Sequence, residues 1–264
     1  MNRLLGSVLA VALLAAAPAA RAGGFSTTNV QLLQGYGFDN ILDANFGSPE
    51  GFDDGLKTTL TLNHFSTWEH GDSFFFADLT RGDITSFAGE KSKYTSSYVE
   101  WHPRLFLNSF AGQKAPLFGF IRNWGLAGEV NQGAGFHAYL GGLGLDLQVP
   151  GFAVLGLNVF YRYDNFNEHG WQVSPYWTVP FAVGPVPFVF TGFIDVNGLH
   201  DKVADENGYE IWAQPELLVD VLAPFGGKAG KLHAGVEWWF HMQSIGEFDE
   251  TSSVPQVMVQ WTVF

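Results

Sequence analysis

The chain has 264 residues, no cysteine, and 26 Asp+Glu against 13 Lys+Arg, for a formal net charge of −13. Such an acidic balance excludes a reader of nucleic acid or anionic lipid, because phosphate contacts need clustered Lys and Arg. The missing cysteines exclude a disulfide framework and thiolate chemistry. Glycine contributes 32 residues and aromatics 16 %, while mean hydropathy is close to zero, which is odd for a soluble domain.

The N-terminal segment predicts export. Met1-Asn2-Arg3 is a short positive region, Leu4 to Ala17 an apolar stretch too short to span a bilayer stably, and Ala20-Arg21-Ala22 an A-x-A cleavage site. Residues 1–22 thus read as a cleaved signal peptide and residues 23–264 as the mature chain. Its removal takes away two arginines and makes the balance more acidic still. The longest uncharged run after it, Gly170 to Ile194, contains Pro175, Pro180, Pro185 and Pro187, which would break a helix. An exported, aromatic-rich chain without a spanning helix leaves a periplasmic β-sandwich or a membrane β-barrel.

Period-two alternation decides between them, since successive strand residues point to opposite faces. Ser96 to Leu107 sets Tyr98, Glu100, His102 and Arg104 against Val99, Trp101, Leu105 and Leu107. Leu155 to Asp164, Tyr209 to Val221 and Leu232 to Gln243 repeat the pattern. These segments run about ten residues or more, the length of a tilted membrane strand, where sandwich strands run about five or six. In chain order the expected strands are 28–36, 58–68, 72–82, 93–108, 116–129, 134–147, 153–164, 170–182, 186–198, 208–220, 230–243 and 254–264. The fold class is therefore all-β: a transmembrane antiparallel up-and-down barrel of about twelve strands in the outer membrane of a Gram-negative cell, in contact with its lipid and lipopolysaccharide.

An even strand number puts both termini on the periplasmic side. The turns there would be short: Glu69–Gly71, Ser109–Ala115, Gln148–Phe152, Val183–Pro185 and Val221–Ala229. The outer loops would include the long Gly37–Lys57, Asp83–Ser92, Leu199–Asn207 and Ser244–Ser253, with Val130–Gly133 and Asn165–His169 as short exceptions. Asp39, Asp43, Glu50, Asp53 and Asp54 lack the spacing of a calcium loop and read as a solvated acidic loop. In the last strand Val257, Val259, Trp261 and Val263 form the apolar face, so Phe264 falls on the opposite parity, as a terminal bulge would place it.

The inward face carries the functional information. Alternation assigns to it Phe74, Phe76, Asp78, Tyr98, Glu100, Arg104, Phe160, Arg162, Phe193 and Asp195 as candidate pore-lining or substrate-binding residues, with His102, Asp164, Tyr176, Trp212, Glu216, Glu237, Trp239 and His241 beside them. Inward rings offer stacking platforms for any flat π-system, and carboxylates can accept hydrogen bonds from sugar hydroxyls. The competing reading is a plugged barrel in which the aromatics fill a narrow lumen and pairs such as Glu100 with Arg104 satisfy one another.

A catalytic alternative is confined to His64 and Ser66, an H-x-S pair on the outward face with Leu60 and Leu62. Outer-membrane acyl hydrolases use such a pair, but a third group must orient the base, and Thr67-Trp68 supplies none. No P-loop, HExxH or GxSxG motif occurs, and no cofactor or metal is implied. The chain reads as a non-enzyme.

Several short motifs follow one another along the chain: Asn29-Val30-Gln31; His64-x-Ser66-x-Trp68-x-x-Gly71-Asp72-Ser73-Phe74-Phe75-Phe76-x-Asp78; Glu100-x-x-Pro103-Arg104; Gly142-Leu143-Gly144-x-Asp146; Asn158 to Tyr163; and Gly192-Phe193-x-Asp195. In this order they resemble the nucleoside-specific channel-forming porins, the Tsx-like family that includes outer membrane protein K. The resemblance implies a monomeric twelve-strand barrel that passes nucleosides along a narrow aromatic channel, with Asp78, Glu100 and Arg104 lining it. It also implies that the chain could serve as a phage receptor.

Overall fold

The computed structural model describes residues 24–38, 52, 55–85, 91–113, 115–201, 205–246 and 248–264. The expected signal peptide, and the acids Asp39, Asp43, Glu50, Asp53 and Asp54, lie outside the described residues. Among the described residues no helix is long and apolar enough to cross a membrane.

The strands are β1 (Ser26–Tyr36), β2 (Leu56–Trp68), β3 (Gly71–Thr85), β4 (Lys91–Phe106), β5 (Ile121–Gln132), β6 (His137–Leu147), β7 (Val154–Asp164), β8 (Glu168–Val183), β9 (Val186–Asp201), β10 (Glu206–Ala213), β11 (Glu216–Asp220), β12 (Leu232–Ile245) and β13 (Phe248–Thr262). Apart from β10 and β11, consecutive strands pair antiparallel, and β13 closes on β1 with Val30 opposite Trp261 and Leu33 opposite Met258. Both β10 and β11 lie between β9 and β12 in one register, so they are two halves of a single strand and the closed sheet is a twelve-strand barrel. Closure leaves no exposed sheet edge, which a bilayer requires.

Proline explains the break. Gln214 and Pro215 separate β10 from β11, and Pro215 has no N–H to donate. The β4–β5 ladder skips His102-Pro103, and the β8–β9 ladder skips Ser174-Pro175. The three gaps sit on strands whose inward neighbours, His102 and Glu129, Ser174 and Asp195, and Gln214, all line the interior.

Outward residues are large and apolar. Leu32, Leu60, Leu79, Leu126, Leu143 and Val257 are exposed along the belt. Trp68, Phe110, Phe118 and Trp261 cluster toward the end that holds both termini, and Tyr36, Tyr139 and Tyr163 toward the other, as two interfacial girdles do.

The connections correct the expected division into short inner turns and long outer loops. At the outer end β3 and β4 continue to Thr85 and from Lys91, and β12 and β13 are separated only by 246–247. Cross-strand pairing prolongs them: Asp83 faces Lys93, whose Nζ donates to Asp83 Oδ1 at 2.9 Å. At the inner end, the connection 107–120 carries a single-turn helix α1 (Leu107–Phe110), and β5 begins at Ile121 rather than near residue 116. Asn108 holds this segment, accepting from the Trp124 N–H at 3.0 Å. The second long inner connection, 221–231, is fixed by Asp220, which accepts from the backbone N–H groups of Leu222, Ala223 and Gly230.

The parity of Phe264 is resolved by where β13 stops. The strand ends at Thr262; beyond it Phe264 is 61 % exposed, with its ring 6.4 Å from that of the outward-facing His64.

Candidate functional site

The interior is partly filled and partly hollow. Ala127, Ala138, Leu140 and Phe160 form one buried apolar cluster with Phe136, and Leu33, Leu218 and Met258 form another with Val189. Beside these clusters lie two cavities of about 430 Å³ each. One lies toward the termini, lined by Asn29, Phe65, Asp72, Arg104, Tyr176 and Gln260 among others. The second lies toward the outer end, with Tyr98, Phe136, Arg162, Phe166, Trp212 and His241 in its wall. Both include Lys57, Phe76, Asp78, Glu100, Glu129, Phe193, Asp195, Gln214 and Trp239, so they meet at a shared waist. That waist coincides with the three proline gaps in the wall.

Nine of the ten candidate residues read from alternation border these cavities: Phe74, Phe76, Asp78, Tyr98, Glu100, Arg104, Arg162, Phe193 and Asp195. Phe160 points inward but is packed in the apolar cluster with Ala138 and Leu140 and lines neither cavity.

The expected Glu100–Arg104 pairing does not form. The two lie four residues apart on β4 with inward His102 between them, and each has nearer partners: Glu100 its own strand neighbours Tyr98 and His102, Arg104 the acids of β3 and β6. Arg104 donates through Nε to Asp72 Oδ1 and through Nη1 to Asp146 Oδ1, both at 2.7 Å, and also to the Tyr176 hydroxyl. The Tyr176 hydroxyl donates to Asp146 Oδ1 at 3.0 Å, and Asn123 Nδ2 to Asp146 Oδ2 at 2.8 Å. Gly156 lies beneath the Tyr176 ring, where a Cβ would come within 2.1 Å of the ring and hydroxyl.

Glu100 belongs to a second network at the waist. It accepts from the Tyr98 hydroxyl at 2.6 Å, and its Oε2 lies 2.8 Å from His102 Nε2. The other ring nitrogen of His102 is 3.4 Å from Glu129. Glu129 also accepts from Asn131 Nδ2 and Gln172 Nε2, and Gln172 Oε1 accepts from Arg162. Glu100, His102 and Glu129 hold possible ligand atoms within 4.8 Å of one another. Protein donors already reach both carboxylates and the imidazole bridges them, an arrangement complete without an ion.

Rings form the third component. Centroids step from His102 to Phe74 (5.7 Å), Phe76 (6.0 Å), Tyr98 (6.0 Å), Phe136 (6.4 Å) and Phe166 (6.1 Å). This staircase begins on the half-exposed Phe166 in the β7–β8 turn and ends in the inner cavity. Asp164 sets the turn by accepting from the N–H groups of Phe166 and Asn167. Across the lumen Trp212 stacks on His241 with centroids 3.9 Å apart, and His241 Nε2 lies 3.1 Å from Glu210.

Sequence reasoning missed Glu129, Asn131, Gln172, Phe136 and Phe166. The first three follow from the alternation that placed their neighbours. The two phenylalanines sit in the turns between β5 and β6 and between β7 and β8, where period two gives no direction.

On the outer surface His64 Nδ1 is hydrogen-bonded to Thr28 Oγ1 at 2.8 Å, its cross-strand partner, with the Phe264 ring against it. The H-x-S histidine is thus engaged with β1.

Closed barrel, apolar belt and polar lumen define an outer-membrane β-barrel protein. The chain is homologous to outer membrane protein OmpK of Vibrio parahaemolyticus, with 28 % identity over 156 residues covering 54 % of this chain and 55 % of that protein. The match thus spans about half the length of each. No family model matches. Among solved structures, a bacterial polysaccharide outer membrane secretin aligns over 91 % of this chain and 99 % of its own, at 8 % identity and a TM-score of 0.41.

Proposed function

We propose that the protein is a channel for small uncharged solutes and that nucleosides are its preferred class. The observation that carries this is the aromatic staircase from Phe166 to Phe74, flanked along its length by hydrogen-bonding groups at Glu100, Glu129, Asn131 and Asp195. A flat base gains about 1–3 kcal/mol for each good ring contact. Ribose hydroxyls can hydrogen-bond to carboxylates, and charge-assisted bonds of this kind are the stronger ones. The waist holds Asp78, Glu100, Glu129 and Asp195 against Lys57 and His102, so a phosphate would meet an excess of acids. Asp78, Glu100 and Arg104, which sit on motif positions of the family resemblance, would line the path. Each cavity is large enough for one small ligand. The similarity to outer membrane protein OmpK supports an outer-membrane role.

Liposome swelling tests the reading. Adenosine and thymidine should enter proteoliposomes faster than sugars or amino acids of equal size. Equal rates for all three classes would leave a general pore, and no swelling at all a plugged barrel.

A further inference from the structure

The inner cavity has a second polar wall, away from the Arg104 network and built of amides. Asn29 and Gln31 of β1, Asn63 of β2 and Gln260 of β13 all border it. The strand register makes them neighbours: Asn29 faces Asn63, and Gln31 faces Gln260. Asn63 Nδ2 donates to Asn29 Oδ1 at 3.0 Å, and Gln31 Nε2 donates to Gln260 Oε1 at 2.9 Å. A carboxamide carries an acceptor oxygen and an NH2 with two donors, so each pair keeps one oxygen and one NH2 to spare. Among the described residues no donor reaches Asn63 Oδ1 or Gln31 Oε1, and no acceptor reaches Asn29 Nδ2 or Gln260 Nε2. None of these four atoms is sealed inside the wall.

Two further groups stand beside the amides. Glu216 of β11 borders the same cavity, and Gln31 Nε2 comes only within 3.4 Å of its Oε1, a long hydrogen bond. Phe65 and Phe74 are register partners on β2 and β3 and also border the cavity, while Asn63 pairs with Phe76 in the same ladder. The amide wall therefore begins where the ring staircase ends. A hydroxyl is donor and acceptor at once, so a pair of adjacent hydroxyls matches an amide oxygen and an NH2 side by side. A carboxylate accepting from one of them adds a stronger, charge-assisted bond. A ring face next to the amides covers the apolar C–H side of a sugar.

We infer that Asn29, Gln31, Asn63 and Gln260, with Glu216, form a station in the inner cavity for the vicinal hydroxyls of a sugar. This rests on the channel reading and adds to it the recognition of the sugar half of the solute.

The test is block of single-channel current through the full-length protein in a planar bilayer, with folding checked by heat-modifiability. The probes are adenosine, dideoxyadenosine, which lacks the diol, and ribitol, which lacks the base. In the wild type adenosine should block about ten-fold more tightly than dideoxyadenosine, the order expected for losing one or two net hydrogen bonds. Ribitol should block weakly. Gln31→Leu combined with Asn63→Leu should bring the ratio of the two nucleosides to about one and abolish the block by ribitol. A barrel that is merely less stable would not change that ratio. If the pair does not fold, Glu216→Gln, which keeps the shape and removes the charge, should lower the ratio about three-fold and decides alone. A wild-type ratio near one, or an unchanged ratio in the folded variant, would overturn the inference. If adenosine fails to block while ribitol blocks the wild type and not the variant, the nucleoside reading falls and the station stands. If none of the three probes blocks, both fall.

Discussion

The two cavities use their polar groups differently. In the inner one, Arg104 spends its donors on Asp72, Asp146 and Tyr176, and Asp146 takes a further bond from Asn123. In the outer one, the rings of Tyr98, Phe136 and Phe166 stack in succession beside open space, with polar groups in the same wall. The inner charges are bonded to one another, whereas the ring faces border open space. Damage to the inner network should therefore cost stability, and damage to the staircase should cost binding.

The largest effect is expected at Arg104. Arg104→Ala leaves Asp72 and Asp146 without their main cation, and breaking a buried pair this way costs about 3–5 kcal/mol. The temperature at which the heat-modifiable form converts should drop strongly. If conductance changed and that temperature did not, the division between the two cavities would fail.

Next come the rings. Phe74→Ala and Phe76→Ala should each weaken nucleoside block by about 1–3 kcal/mol, roughly 5–150-fold, while the conversion temperature moves far less than for Arg104→Ala. A smaller effect belongs to Tyr98→Phe, which keeps the ring and removes the hydroxyl that donates to Glu100. It should cost about 0.5–1.5 kcal/mol of stability, read by denaturant unfolding, with nucleoside block nearly intact. The smallest is Ser66→Ala, on the outer face beside a histidine already bonded to Thr28. It should change stability by less than about 0.5 kcal/mol and leave transport as it was. Lipid hydrolysis by the purified protein that disappears with this substitution would restore the hydrolase reading.

Much of this was legible in the sequence because a barrel wall imposes one rule on most of its residues. Lipid outside and a polar lumen inside force period two, and strands such as β7, with Asn158, Phe160, Arg162 and Asp164 inward, obey it throughout. The rule ends where strands end. It could not see that Phe38 and Phe52, outside the strands, are buried in a cluster with Trp239 and Val254, since the glycines that leave room for their rings, Gly35 and Gly82, lie in two different strands. Nor could it tell that Phe160 packs in a cluster while Phe76 borders open space, because parity gives a direction and not a depth. The Arg104 partners Asp72 and Asp146 come from β3 and β6 and meet only when the barrel closes around Tyr176.

The most direct test is single-channel conductance in a planar bilayer with adenosine or adenosine monophosphate added to one side. Stacking of the base beside an acid-rich waist predicts that adenosine reduces conductance in a concentration-dependent way and that the monophosphate does so much less. Equal block by the two, or no block by either, would contradict the account.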